Sequence, residues 1–285
     1  MTLNEEVQSF GLPPISPLES KKKEIEELKA MEQMQFDFDE EEDTDEKKTI
    51  FSVYGLKNDG KTAICYGIPE PGEKILVFSF DHKSSRPKEL PFIKPAELKI
   101  KVYDALKYID KSTADVYQAT SEVTYRYILS IMEQSLEKFG PDWIVFDGTE
   151  VLSSLMEQVM RLRNNLRPYQ GISNLSVWKE RKQYIENLHD RAVQTATKGV
   201  IYTMYTEKDT VIDRDGQTIR MKDIPKWIGS VMRETDVVIR ADAIFEKDTR
   251  VYLAYVEGSK VQDLFPDGRY IVTGKRLRDV VVPCV

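Results

Sequence analysis

Eight residues, Gly55-Leu56-Lys57-Asn58-Asp59-Gly60-Lys61-Thr62, stand in the order G-x-x-x-x-G-K-T. That spacing suits the chemistry of a polyphosphate. Glycines at both ends, Gly55 and Gly60, let a loop turn its backbone N–H groups inward around a β-phosphate, with Asn58, Asp59 and Ala63 inside the same wrap. Lys61 then reaches the β- and γ-phosphates, and the Thr62 hydroxyl is placed to ligate Mg²⁺. An acid must complete such a site from a neighbouring strand. Asp147 is the candidate, because it closes the apolar run Trp143-Ile144-Val145-Phe146 and would hold the Mg²⁺ through water. Asp81 closes a second run, Lys74–Phe80, and a carboxylate there could polarise the attacking water. A turn-forming aspartate before His82-Lys83-Ser84-Ser85 would account for it as well. Thr206, Glu207 and Lys208, at the end of a third run, are candidates for sensing the γ-phosphate. The sequence has no N-K-x-D element to read guanine, which favours ATP over GTP.

A phosphate loop needs a strand feeding into it and a helix leading out, and the flanking residues read that way. TIFSVYG is β-branched and aromatic, and KTAICYGI can open a helix whose first turn favours negative charge. The same alternation continues along the chain. Strands are expected at Thr49–Tyr54, Lys74–Phe80, Trp143–Asp147, Val200–Tyr205, Val237–Arg240 and Arg250–Glu257, and helices at about 60–68, 115–138, 150–165, 178–198 and 224–233. Several strands are continuous apolar runs, as expected when both faces of a parallel sheet are covered. The fold class implied is α/β, a mostly parallel sheet with helices on both faces.

Charge divides the chain in two. Residues 1–50 hold 15 acids and 6 bases, leaving 33 acids and 35 bases for the rest, so most of the net charge of −7 sits at one end. Residues 1–48 read as an acidic arm, largely disordered, with a short helix capped by Ser20 and an acidic run from Asp37 to Glu46 around Phe36 and Phe38. Those phenylalanines could dock on a protein partner. Residues 49–285 form the expected catalytic domain. Two cysteines, Cys65 and Cys284, make no disulfide framework, and no stretch approaches the ~18 apolar residues of a membrane span. A reducing, cytoplasmic setting and no membrane partner are expected.

Taken together, YGLKNDGKT, KILVFSFDHK, DWIVFDGTE, GVIYTMYTEKD and MRETDVVIRAD resemble the RecA-like P-loop ATPases of phages and archaeal viruses over most of residues 49–275. Among these the chain is most similar to the Sak-type recombinases, reduced relatives of RecA and RadA. The resemblance implies a RecA-like ATPase that binds single-stranded DNA with ATP in annealing or strand exchange. It also implies that an acid after the second core strand activates water. Asp81 falls at that place, where glutamate is usual and where His82 follows instead of another acid.

DNA would meet two loops. The first carries Arg163, Arg167, Tyr169 and Trp178 among further cations, a mixture in which bases stack on aromatics while cations follow phosphates. The second surrounds the hairpin signal Asp215-Gly216 with Lys208, Arg214 and Arg220. A solvated helix face with a core tryptophan, and an ordinary surface hairpin, would explain the two patches equally. The resemblance further implies a homo-oligomeric ring or filament in which a cation from one subunit completes its neighbour's site, with Lys275 and Arg276 as trans-acting candidates. A rival reading is a nucleotide-switched assembly or partner-binding ATPase that does not act on DNA, suggested by the pI of 5.2 and the acidic arm.

Overall fold

Short unbroken runs of β-branched and aromatic residues build the centre of a nine-stranded sheet. The structure, a computed structural model, describes residues 48–81, 89–212, 218–226 and 231–281, with backbone only for 208–212, 218–223 and 232. All of these belong to one compact unit, Lys47–Val285. The arm expected at 1–48 lies outside the described residues except for Lys48, as do His82-Lys83-Ser84-Ser85, Arg214 and Cys284. The strands are β1 (Thr49–Gly55), β2 (Lys74–Ser79), β3 (Lys99–Asp104), β4 (Trp143–Asp147), β5 (Gly199–Ile212), β6 (Thr218–Pro225), β7 (Val237–Glu246), β8 (Thr249–Ser259) and β9 (Gly268–Ile271). The helices are α1 (Lys61–Tyr66), α2 (Ala114–Lys138), α3 (Leu152–Arg163), α4 (Leu175–Thr195), α5 (Val231–Glu234) and α6 (Leu277–Val280), with a 3₁₀ turn at Thr149–Val151.

Strand order is β3-β2-β4-β5-β1-β7-β8-β9, and β6 pairs with β5 alone. From β3 to β7 every pairing is parallel, while β8, β9 and β6 are antiparallel additions. The chain is therefore α/β with a mostly parallel mixed sheet. Helices cover both faces unequally. Ile50, Leu76, Phe78, Ile144, Phe146, Val200 and Tyr202 pack with α2, α3 and α4. The alternate positions Phe51, Val53, Ile75, Val77, Trp143, Val145 and Ile201 pack with the short α1 and α6 and with the segment around Phe92 and Ile93. Period-two alternation thus assigns every central strand residue to a thick helical face or a thin one.

Helix α2 has 25 residues, a length of about 37 Å, against about 17–23 Å for five- to seven-residue strands. Its C-terminus lies beside the start of β4, where Asp142 N–H bonds to the Lys74 carbonyl, so its first turns overshoot the C-terminal edge of the sheet. The two hairpins overshoot as well. β5 pairs with β1 only from Gly199 to Tyr205, and from Thr206 onward its partner is β6. β7 pairs with β1 from Val237 to Arg240 and continues with β8 to a turn at Lys247-Asp248, both left-handed at φ 46° and 66°.

The elements differ in places from those expected. The helix expected over 224–233 is absent in that form: residues up to Pro225 finish β6, and α5 holds only Val231–Glu234. Strands β3 and β9 are not among those expected; β3 alternates Lys99 and Lys101 with apolar Ile100 and Val102, the pattern of a half-buried strand, and β9 has only four residues. Among the described residues no helix is long and apolar enough to cross a membrane.

Gly199 fixes where the central strands meet. It is opposite both Thr49 of β1 and Trp143 of β4, and at its φ of +156° a Cβ would lie 2.0 Å from the Thr49 carbonyl oxygen. Gly199→Ala is expected to lower unfolding free energy by about 3 kcal/mol or more, since only backbone movement relieves that overlap. Gly171→Ala, where a Cβ meets nothing within 4 Å, should change it by less than about 0.5 kcal/mol. Urea denaturation of both variants provides the check.

Candidate functional site

Strand β1 delivers the loop and glycine geometry shapes it. At Gly55 a Cβ would sit 2.6 Å from the Ala241 carbonyl oxygen, so β7 can approach closely only because that position is glycine. Gly60 is left-handed at φ 85° and rests against the Tyr252 ring, which a Cβ would meet at 2.8 Å. Asn58 is left-handed too, at φ 71°. Two side chains brace this backbone. The Asp59 carboxylate accepts the Leu56 N–H at 2.7 Å, and Arg250 Nη2 of β8 donates to the Asn58 carbonyl at 2.7 Å.

Behind the loop a buried acid is solvated by hydroxyls. Asp147 closes β4 on the thin face, two residues after Val145. Its Oδ1 accepts from Thr203 Oγ1 at 2.7 Å, and its Oδ2 accepts from Thr62 Oγ1 at 3.0 Å. The Thr203 hydroxyl also accepts the Gly148 N–H at 2.7 Å. Burial raises the Asp147 pKa, the two threonine hydroxyls oppose that, the charge of Asp81 adds to it, and Lys61 pulls it back. Lys61 Nζ donates to the carbonyls of Gly55 at 2.9 Å and Leu56 at 2.7 Å and lies 4.4 Å from the centre of the Tyr205 ring. Burial lowers the Lys61 pKa, against the opposing charges of Glu150, Asp59 and Asp147.

These groups share one cleft of about 440 Å³. Asn58, Asp59, Gly60, Lys61, Thr62, Ala63, Asp81 and Asp147 all line it, and Gly55 stands at the end of the strand that feeds it. Sequence reasoning missed four further contributors, Thr203, Tyr205, Glu150 and Tyr252. Alternation along β5 could have found the first two. With Ile201 on the thin face, Thr203 and Tyr205 follow, whereas Thr206 does not line the cleft.

The two trans-acting candidates, Lys275 and Arg276, stand differently in the fold. After β9 the chain turns through Thr273 and left-handed Gly274 (φ 68°), which places Lys275 at the lip of its own cleft. Arg276 turns the other way and is buried, paired with Asp279 and donating to the Pro69 carbonyl. Arg276 is thus committed within its own chain, whereas Lys275 is exposed.

The first basic and aromatic loop is partly structural. Arg163 grips Glu122 through two nitrogens and lies over the rings of Tyr125 and Tyr184. Trp178 is half-buried between Arg161 and Arg181, and Arg161 donates to the carbonyls of Arg167 and Gln170. Arg167 is exposed, and Tyr169 is 91% exposed. On the second loop Lys208 and Arg220 occupy β5 and β6, with their side chains outside the described residues.

Mg²⁺ fits the donors at hand. The Thr62 hydroxyl can keep its proton on Asp147 and offer a lone pair to the ion, and a single carboxylate with a single hydroxyl is the sparse protein share Mg²⁺ usually takes. Among the described residues no cluster of three or more His, Cys, Asp or Glu side chains could hold a metal unaided. No protein-family model matches the chain, and no curated protein matches it.

Thr203→Val keeps the volume of Thr203 and deletes its hydroxyl, leaving the Gly148 N–H without its acceptor and Asp147 Oδ1 with only the longer bond from Thr62 at 3.3 Å. It should destabilise the protein by about 2–3 kcal/mol, whereas Thr203→Ser should cost about 1 kcal/mol or less. Chemical denaturation of the pair separates the hydrogen bonds from the packing.

Proposed function

We propose that this chain is a RecA-like P-loop ATPase, binding and hydrolysing ATP with Mg²⁺ and acting on single-stranded DNA in recombination or replication. The observation that carries the ATPase reading is the hydrogen bond between Thr62 and Asp147, two residues 85 apart in sequence that meet at the mouth of a glycine-shaped loop. In this reading the loop amides and Lys61 hold the β- and γ-phosphates, and Thr62 and Asp147 position the Mg²⁺. Lys61 exchanges its carbonyl partners for phosphate oxygens. Tyr252 and Lys275 flank the loop on the β8–β9 side, where the nucleoside end would extend.

The DNA part rests on placement. Arg167 and Tyr169 belong to the loop joining α3 to α4, where Gln118 near the overshooting end of α2 donates to the Leu166 carbonyl. The β5–β6 ribbon, whose sequence carries Lys208, Arg220 and Lys222, leaves the sheet at the same edge. An exposed cation beside an exposed ring, Arg167 with Tyr169, suits a single strand, whose phosphates need charge and whose bases need a stacking surface.

A nucleotide-switched assembly without DNA is the second reading. Leu56, on the loop itself, is 60% exposed, and Phe245, near the β7–β8 turn, is 74% exposed. In this reading a neighbouring chain would cover both.

ATP hydrolysis by the wild type and by Lys61→Ala, with and without single-stranded DNA at two salt concentrations, tests both. Turnover should need Lys61 and Mg²⁺, fall at least about 100-fold in the variant, and rise with DNA more at low salt than at high salt. Lys61-dependent turnover indifferent to DNA would favour the assembly reading, and turnover indifferent to Lys61 would refute the site.

A further inference from the structure

The residue that activates water in the proposed reaction is expected from sequence to be Asp81. The cleft contains a second carboxylate with a better claim. Glu150 follows Asp147 by three residues, in the 3₁₀ turn that opens as the chain leaves β4. Gly148 makes the sharp exit possible with a left-handed φ of 90°. The turn is then stapled to β5 twice: Gly148 N–H bonds to Thr203 Oγ1, and the buried Thr149 hydroxyl donates to the Thr203 carbonyl at 2.8 Å. With Thr149 turned inward, Glu150 is held in the lining of the cleft.

Glu150 and Lys61 line the same cleft, and the Glu150 charge favours the Lys61 ammonium. Lys61 is the residue that would reach the γ-phosphate, and the longer glutamate side chain shares that cleft with it. The other three acids of the cleft already accept hydrogen bonds, Asp59 from the Leu56 N–H. Asp147 is occupied by both threonines, and Asp81, on the shorter side chain, accepts the Ser79 hydroxyl at 2.9 Å. Burial also pushes the Glu150 carboxyl up, the direction that makes a carboxylate a better proton acceptor.

We propose that Glu150, and not Asp81, is the catalytic base of this ATPase, an inference that rests on the ATPase reading itself. The Glu150 carboxylate takes a proton from a water molecule as the water oxygen bonds to the γ-phosphorus. The bond from that phosphorus to the β–γ bridging oxygen breaks, its electron pair leaves with ADP, and the proton passes from Glu150 to solvent as phosphate departs. Asp81, in the same cleft, serves to orient.

The test compares Glu150→Gln with Asp81→Asn in the full chain, with Mg²⁺ and ATP, measuring turnover alongside binding of a fluorescent ATP analogue. Glu150→Gln should reduce kcat at least about 100-fold, the low end of what a general base contributes, while analogue affinity stays within about threefold of wild type. Asp81→Asn should lose less than about tenfold. Retained binding shows that the variant is folded. Glu150→Gln turnover within about threefold of wild type, where Lys61→Ala abolishes it, overturns the role of Glu150 and leaves the ATPase reading standing. A loss of turnover matched by a loss of analogue binding also overturns it, because the residue would then be holding the site together. No Lys61-dependent turnover in the wild type would remove the ATPase reading and this inference with it.

Discussion

A carboxylate withdrawn from water must be solvated by something else, and at Asp147 the protein supplies two threonine hydroxyls. Much of the architecture follows from that requirement. Thr203 reaches Asp147 only because β5 runs between β4 and β1 in a fixed register, and Thr62 reaches it only because the loop from β1 turns back over the same edge. An unpaired charge at this depth would cost several kcal/mol. The sheet order, the loop conformation and the 3₁₀ turn at Thr149 are therefore different views of one solved problem. Thr203 is central to it, because its hydroxyl serves both the acid and the backbone N–H that follows the acid.

The loop and its acid were legible in the sequence because their physics is local. Gly55, Gly60, Lys61 and Thr62 declare a backbone path and a charge in eight positions, and Asp147 ends an apolar run too short and too uniform to be much else than a buried strand. What escaped depends on partners distant in sequence. Glu150 carries no local signal, since its place comes from two bonds to Thr203. Lys275 reads as a free basic residue until the turn at Gly274 is seen to fold it over its own cleft. The β7–β8 turn was hidden for a chemical reason, because its two left-handed residues are Lys247 and Asp248 where asparagine and glycine would announce a hairpin. The 224–233 helix failed because an amphipathic run beside Pro225 is equally a strand edge.

The two faces of the sheet divide the labour. Three long helices seal the thick face with stacked rings, Phe146 lying nearly parallel to Tyr202 at 5.2 Å. On the thin face a six-residue helix and short turns leave a groove. Polar groups at the strand ends gather there because alternation gives Ser79, Asp147 and Thr203 the same side. A rigid wall behind a shallow polar groove keeps the geometry of the site from depending on the elements that cover it.

The strand that feeds the loop is bordered on both sides by segments made much later. β1 pairs with β5 from residue 199 and with β7 from residue 237, so it has no neighbour in the sheet until more than half of the chain exists. At ribosomal rates the loop would wait roughly ten to forty seconds between its own synthesis and the arrival of both partners. During that interval β1 is an apolar segment with two open edges. Sheet topology thus sets a clock, one that delays the completion of both borders of β1 until most of the chain has been made.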